Sequence, residues 1–474
     1  MRNYINQTLV FSGLLLIFLL ALYYVPDGAT IGDIPLKKMD ILSDVRKQSP
    51  ELVALPDSVF QDTTLFENLD TLANALADSL LSDNQNIGPF PPVDPSLFGK
   101  IVEDYSFEQS GLNRFFSAID SIKYGRTVRI AWYGDSFVEG DILLGDLRDT
   151  LQTLWGGQGV GFVPITSEVA QFKRSFKHHF HDWNTFSVVK KSEVRPPIGL
   201  NGYAYQPKVG ADIVYEGANY FKHTKAWTEF KIFYTATTTS IFEWLSQDKK
   251  IKTDILAAKN NDLGVWKYEG NYPGIRYLGL KFPEPENLLL YGVTLESGPG
   301  VYIDNFSIRG NSGGPLKLLK PNFIRQFDAI QQYDLIVLQV GLNAVTNSLN
   351  NIRWYEAELD RTFDHLSKCF PGKTILIVSV GDRSGKNGTE YATMLGVPAI
   401  AGMQRDLARK HGFLFLDLFN LMGGEGSMIE FVNHRPRLAN TDYTHLTHEG
   451  GKVLGMMLVD LLQKEQNRWR QEFR

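Results

Sequence analysis

Val128-Arg129-Ile130-Ala131-Trp132-Tyr133-Gly134-Asp135-Ser136 is the stretch from which the fold can be read. Its first six residues, VRIAWY, make a mostly apolar run of strand length. Gly134 then breaks the run, and residues 142–154 follow with apolar side chains near three-to-four spacing, the period of a helix. Strand, tight turn and helix form the first half of a βαβ unit. The same alternation returns far downstream. Residues 301–308 alternate like a strand, and 335–340 (LIVLQV), 374–380 (TILIVSV) and 413–418 are apolar runs of strand length. Helical periodicity separates them at 352–369, 399–411 and 449–464. Five strands alternating with helices predict an α/β fold built on a doubly wound parallel sheet. In such sheets the chemistry gathers at the carboxyl ends of the strands.

Residues 165–300 interrupt this rhythm. They are rich in Tyr, Phe, Trp, Thr and Val, show poor helical periodicity, and carry turn signals such as Asn260-Asn261, Gly270-Asn271 and Pro283-Glu284-Pro285. The pattern predicts a β-sandwich, or jelly roll, inserted into the α/β domain. The α/β part is then 106–164 together with 301–474.

Two further segments precede the body. The run LVFSGLLLIFLLALYYV at 9–25 roughly matches the ~30 Å hydrocarbon thickness of a bilayer. Arg2 before it, and Asp27 and Asp33 after it, orient a spanning helix with the rest of the chain outside. The alternative is a cleaved signal peptide. No good small-x-small site follows the run, so residues 1–26 read as a retained membrane anchor. Residues 51–98 hold eight acidic residues and no Lys or Arg, and 88–92 read Gly-Pro-Phe-Pro-Pro. This composition predicts a solvated stalk over 27–105 that carries the body away from the membrane.

Composition removes several function classes. The 474-residue chain carries 48 Lys and Arg against 53 Asp and Glu, so it lacks the electrostatic footprint of a nucleic-acid binder. Its one cysteine, Cys369, excludes an intrachain disulfide framework and a cysteine-clustered zinc site. His178, His179 and His181 cluster, but no acidic or cysteine partner stands at metal spacing beside them in the sequence, and no metal is assigned. Trp227, Trp244 and Trp266 could stack on sugars, although core packing of a sandwich is the commoner use of such residues.

Four short motifs carry the chemistry. Ser136 in Gly134-Asp135-Ser136 sits where strand turns into helix, which offers a hydroxyl nucleophile and a backbone N–H from one residue. Asp442-Tyr443-Thr444-His445 is the only D-x-x-H in the chain. That spacing lets the carboxylate hold one imidazole nitrogen and leaves the other free to take a proton from serine. His448, three residues later, is a possible decoy and reads as a capping or surface residue. Asn343 in Gly341-Leu342-Asn343 follows a strand and can aim its amide at a developing oxyanion. Gly310 in Arg309-Gly310-Asn311 also follows a strand, where a glycine permits close backbone approach. Gly157, Gly159 and Gly161 are the competing candidates for that glycine.

In this order the four motifs resemble the SGNH (GDSL-type) hydrolase family over 106–160 and 301–465. The resemblance implies a three-layer, flavodoxin-like SGNH domain and a serine esterase. Ser136 would be nucleophile, His445 general base and Asp442 its orienting partner, with Ser136, Gly310 and Asn343 forming the oxyanion hole. Ala344 departs from the pattern, since many members carry Asp after the asparagine; that Asp is not a triad member. A split SGNH domain with a β-sandwich between its first two blocks resembles the cell-envelope peptidoglycan O-acetylesterases, as does the segment from Gly134 to Asp141 and on to Arg148. The implied substrate is an O-acylated, foremost O-acetylated, envelope or extracellular glycan, with no cofactor. An O-acyltransferase of the same fold and an inactive glycan-binding protein are the alternatives.

Overall fold

The computed structural model describes residues 102–473, apart from 193, 194, 248, 249, 261, 272 and 273. It also describes a short antiparallel pair, Thr30–Ile31 with Ile34–Pro35. The expected anchor at 1–26 lies outside the described residues, as does most of the expected stalk. Among the described residues no helix is long and apolar enough to cross a membrane.

Five parallel strands form the central sheet: Thr127–Gly134 (β1), Gly300–Ser307 (β2), Leu335–Gln339 (β3), Thr374–Val378 (β4) and Leu414–Leu416 (β5). Their spatial order is β2-β1-β3-β4-β5. This is the flavodoxin-like order, in which the chain reverses its direction of growth at β1. Every residue of β3 and β4 is buried, as a parallel sheet covered on both faces requires. A sixth strand, Val102–Asp104, pairs antiparallel with β5 at the edge. The sequence reading placed these residues in the stalk. Three residues are too few to show a period.

Six longer helices cover the sheet: Ser110–Asp120 (α1), Leu144–Trp155 (α2), Pro321–Gln331 (α3), Ile352–Cys369 (α4), Gly396–His411 (α5) and His448–Phe473 (α6). α2 packs on α6 with α1 beside them, and α3, α4 and α5 pack as the other layer. α1 and α3 were not among the expected helices. Each has only 11 residues and so repeats its apolar stripe barely three times. α5 ends where Gly412 takes a left-handed conformation after Arg409, Lys410 and His411, a basic last turn that suits the helix dipole.

Between α2 and β2 the chain builds an antiparallel sandwich of nine strands among the described residues. Numbered within the insert, they are Gln158–Val163 (1), Phe176–Ser187 (2), Tyr203–Gly217 (3), Glu229–Ala236 (4), Ser240–Leu245 (5), Lys252–Leu256 (6), Gly264–Glu269 (7), Tyr277–Phe282 (8) and Leu288–Ser297 (9). They lie in the orders 1-9-4-7 and 2-3-8-5-6, joined by the single pair Leu290 and Tyr205. With edge strand 2 set aside, the first strand lies beside the last and the orders 1-9-4-7 and 3-8-5-6 are those of a jelly roll, so the insert is a jelly roll with one added edge strand. Phe230, Phe242, Trp244 and Trp266 meet between the layers at ring separations of 5.1–5.8 Å. Trp227 and Trp244 are core residues of the sandwich.

The sandwich begins earlier than the expected residue 165. Gln158–Val163 pairs with Leu288–Ser297. Glycines at 157, 159 and 161 hide this strand in the sequence, but they permit it. A Cβ on Gly159 would lie 2.1 Å from the Leu295 carbonyl oxygen, so the two backbones could not approach. The sandwich is also not a detachable appendage. Its residues Phe162, Leu200, Phe233 and Tyr291 belong to the same buried cluster as Ile303, Phe306 and Phe327 of the α/β part. Arg129 of β1 spans the junction. Both of its terminal nitrogens donate to the buried Glu296 carboxylate, at 2.5 and 2.6 Å.

Candidate active site

Sheet order places β1 between β2 and β3, so the loops that leave these three strands are neighbours. They carry Ser136, Gly310 and Asn343 respectively.

Ser136 begins a tight turn at the end of β1. Only glycine fits at 134, because a Cβ there would lie 2.1 Å from the Val138 side chain. Asp135 is buried, and its Oδ1 accepts the Phe137 N–H at 3.0 Å. The Asp135 carboxylate also accepts the backbone N–H of Leu342, the residue before Asn343. One side chain therefore clamps the Ser136 turn to the Asn343 loop. Burial pushes its carboxyl up to about 6, against the hydrogen bonds that favour the charged form.

The Gly310 loop is tied to the same turn. The Gly134 carbonyl accepts the Ile308 N–H at 3.1 Å and the Asn311 side-chain amide at 3.2 Å. Asn311 is fully buried, and its own carbonyl accepts the Asn343 side-chain amide at 3.4 Å. Gly310 is exposed with φ at 77°, a backbone that favours glycine. The competing glycines at 157, 159 and 161 stand on or beside the sandwich strand and serve its packing. The N–H groups of Ser136 and Gly310 have no acceptor among the described residues.

The third element is the loop before α6. Asp442 Oδ1 accepts the N–H groups of Thr444 and His445 at 3.0 and 3.1 Å. Its Oδ2 meets His445 Nδ1 at 2.8 Å. His445 Nε2 lies 2.9 Å from Ser136 Oγ. Partial burial works to raise the Asp442 carboxyl, but the hydrogen bonds from the His445 ring and the two amides outweigh it and hold it below its ordinary value. Tyr443, at φ 53°, stacks on Tyr391 of the hairpin Ser384–Asn387 and Glu390–Thr393 at a ring separation of 3.7 Å. The Tyr443 carbonyl accepts the Ser384 N–H at 3.1 Å, so this hairpin buttresses the loop.

His448 makes no contact with this constellation. It is the first residue of α6, and burial, aided by the charge of Arg174, pulls its imidazole down to about 4. The clustered histidines also serve other ends. The buried His178 ring stacks on Tyr215 at 5.0 Å, and His181 pairs with Asp212 at 2.9 Å. No group of three or more His, Cys, Asp or Glu suited to a metal occurs among the described residues.

Several positioning residues were not singled out from sequence. Asp135 and Asn311 lie inside the recognised motifs, and their neighbours were the signal. Arg383 donates to the Leu342 carbonyl at 2.9 Å and steadies the asparagine loop from the hairpin side. Gln404 of α5 joins the ends of β3 and β4, donating to the Val340 carbonyl at 2.7 Å and accepting the Val380 N–H at 2.9 Å. Neither of these two carries a sequence signal.

The arrangement is a hydroxyl, an imidazole and a carboxylate in hydrogen-bonded series, beside two open N–H groups and an amide. That is the equipment of acyl transfer through a serine ester.

No protein-family model matches the chain, and no curated protein matches it. Among solved structures, one described as "Peptidoglycan O-acetylesterase in action" is similar over 78% of this chain and 99% of its own, with a TM-score of 0.63 and 20% identity. That likeness shows a shared fold, sandwich included, since so much of both chains is covered. A family two carbohydrate esterase from Cellvibrio japonicus is similar over 61% of this chain and 99% of its own, at TM-score 0.24 and 10% identity. An acetyl xylan esterase is similar over 34% and 79%, at TM-score 0.26 and 16% identity. These last two likenesses are too slight to add to the fold assignment.

Proposed function

We propose that the chain is a serine esterase of SGNH type that removes O-acyl groups, foremost O-acetyl, from a cell-envelope glycan such as peptidoglycan. The carrying observation is the unbroken series Ser136 Oγ, His445 and Asp442 at 2.9 and 2.8 Å. An inactive glycan-binding descendant would have no need to keep it. Resemblance in fold to a peptidoglycan O-acetylesterase supports the substrate class.

In the reaction, Ser136 Oγ attacks the ester carbonyl carbon while His445 Nε2 takes the hydroxyl proton. Asp442 holds the Nδ1–H tautomer and stabilises the imidazolium. The tetrahedral oxyanion accepts hydrogen bonds from the N–H groups of Ser136 and Gly310 and from the Asn343 amide. Collapse expels the sugar oxygen, which receives the proton from His445. An acyl-serine remains. Water, deprotonated by His445, attacks it and releases the carboxylic acid. A sugar hydroxyl in place of that water would make the same site an acyltransferase.

The inserted sandwich supplies one wall beside the site and is the part suited to meeting a polymer. The apolar run at 9–25 anchors the chain to the membrane and leaves the esterase outside the cytoplasm; its length, flanking charges and lack of a cleavage signal support this.

The test is acetate release from O-acetylated peptidoglycan and O-acetylated plant polysaccharides, with and without unacetylated acceptor sugar. Free acetate from at least one polymer, unaffected by acceptor, is expected. Acetyl appearing on the acceptor would favour the transferase, and no turnover of any ester would overturn the esterase reading.

A further inference from the structure

A cleft of about 780 Å³, counting its open mouth, lies along the seam between the α/β part and the sandwich. One side is formed by Glu139 and Gly140, just past Ser136 in the chain, and by Ile308 and Arg309, just before Gly310. The other side comes from the sandwich and includes Thr185, Asn201 and Tyr203. The cleft therefore runs up to the loops that carry the nucleophile and the oxyanion glycine. Its lining is mixed: Thr185, Ser187 and Asn201 bring hydroxyls and an amide suited to sugar, beside apolar residues such as Val189 and Phe306.

The charges in the cleft do not balance. Glu139 is paired with Arg309 at 2.8 Å, and Glu168 with Lys190 at 2.6 Å. Lys173 also lines the cleft and makes no ion pair among the described residues. Its ammonium stands over the face of Phe176, 5.1 Å from the ring centre. Nor is Lys173 required to neutralise Asp141 behind it. That carboxylate already binds Arg148 through both oxygens, at 2.9 and 3.2 Å, and accepts from Ser175 and Asn305. One positive charge is left over, in a partly enclosed site, next to the groups proposed to cleave the ester.

We propose that this cleft is the subsite for the glycan unit flanking the acylated sugar, and that Lys173 there binds a carboxylate. The inference rests on the esterase reading and narrows its substrate to an acidic polymer. The carboxylate could belong to a uronic acid in the glycan or to a peptide attached to it; the shared chemistry is a carboxylate one residue from the ester. Burial supports the assignment, because an ammonium with little water around it gains more from an incoming anion than a hydrated one. The same burial pulls its ordinary value down to about 8, against the raising influence of Asp141 and Glu139 and with Arg148 lowering it further. The lysine also faces His178, whose imidazole is held neutral by burial.

The test compares kcat/KM for acetate release from O-acetylated alginate, O-acetylated peptidoglycan and neutral O-acetylated glucomannan. Lys173→Met should lower the acidic-to-neutral ratio about tenfold or more, through KM rather than kcat, for whichever acidic polymer carries the recognised carboxylate. Lys173→Arg should restore most of the ratio. An unchanged ratio for both acidic polymers in a folded Lys173→Met protein overturns the proposal. Should that variant not fold, the wild-type enzyme gives the answer. The acidic-to-neutral ratio should fall as pH rises through about 8, where Lys173 loses its charge, and a flat ratio from pH 7 to 9 overturns the proposal. Hydrolysis of p-nitrophenyl acetate, measured alongside and abolished by Ser136→Ala, reports separately on whether the esterase reading stands.

Discussion

Asp442→Asn isolates what the triad carboxylate does for His445. Asparagine has the same shape, and its oxygen can go on accepting the Thr444 and His445 N–H groups, now at 3.0 and 3.1 Å. The turn should therefore survive. The amide nitrogen would stand where Oδ2 now meets His445 Nδ1 at 2.8 Å, and it can only donate. The ring must then offer a lone pair at Nδ1 and carry its proton on Nε2, which points at Ser136 Oγ. In that tautomer it is no base. In a buried triad this change costs ~10⁴ in kcat. Here the side chains of His445 and Asp442 are 39% and 50% exposed, so water can support the productive tautomer and screens the lost charge. The expected loss is smaller, about 10²–10³ in kcat, or roughly 3–4 kcal/mol of transition-state stabilisation. The assay is initial-rate hydrolysis of p-nitrophenyl acetate with kcat and KM resolved, beside a thermal melt. A melt like wild type with kcat down by that factor and KM little changed is expected. A variant that keeps a third of wild-type kcat would refute the tautomer argument, and one that loses activity only together with its melting transition would show that Asp442 acts by holding the turn.

Three further outcomes follow from the same geometry. Asn343→Ala should lower kcat by roughly 10²–10³ with a smaller change in KM, because an oxyanion donor acts mainly in the transition state; a change in KM alone would make it a ground-state contact. Asp135 must be ionised to hold both the Phe137 and Leu342 amides, and with its carboxyl pushed up to about 6 the acid side of the wild-type rate profile should include its protonation. Asp135→Asn should remove that contribution, and an unchanged acid limb would remove Asp135 from the clamp. The native state also holds the Asp135 proton more tightly than an unfolded chain, so its share of stability falls as pH rises from about 4 to 6, a dependence the variant should lack. Arg129→Met would leave the Glu296 carboxylate buried with only Lys231, at 3.6 Å, for company. Urea unfolding should show a loss of about 3–5 kcal/mol, largely recovered by adding Glu296→Gln; a neutral single variant would mean the pair does not secure the junction.

The parallel strands were legible because they are buried on both faces and so appear as apolar runs; β3 and β4 have no exposed residue to blur them. Ser136, Asn343, Asp442 and His445 could be singled out as candidates because strand ends and D-x-x-H spacing constrain where such side chains can point, and the fold brings Ser136, His445 and Asp442 into one hydrogen-bonded series. Elements that depend on partners distant in sequence were not. Gln158–Val163 looks like a glycine-rich turn until Leu288–Ser297 lies beside it. Val102–Asp104 is a strand only because β5 has a free edge. Arg129 inside an apolar strand makes sense only with Glu296, 167 residues away. The shared core of sandwich and sheet has the same cause: Phe162, Phe233 and Tyr291 are ordinary apolar residues in the sequence, and only the fold sets Phe233 and Tyr291 against Phe327 of α3 and Phe162 against Phe306 of β2. Replacing the insert with a short loop would uncover that core, so the insert is better probed by single substitutions such as those at Lys173.

The nucleophile is the point on which everything else turns. Treating the purified protein with a serine-reactive fluorophosphonate and mapping the adduct by mass spectrometry tests it directly. One adduct, on Ser136, should form with loss of esterase activity. Ser136→Ala should take up no label and retain less than about 10⁻³ of wild-type turnover. Labelling at another serine, or a folded Ser136→Ala protein that still hydrolyses esters at a tenth of the wild-type rate, would contradict the assignment.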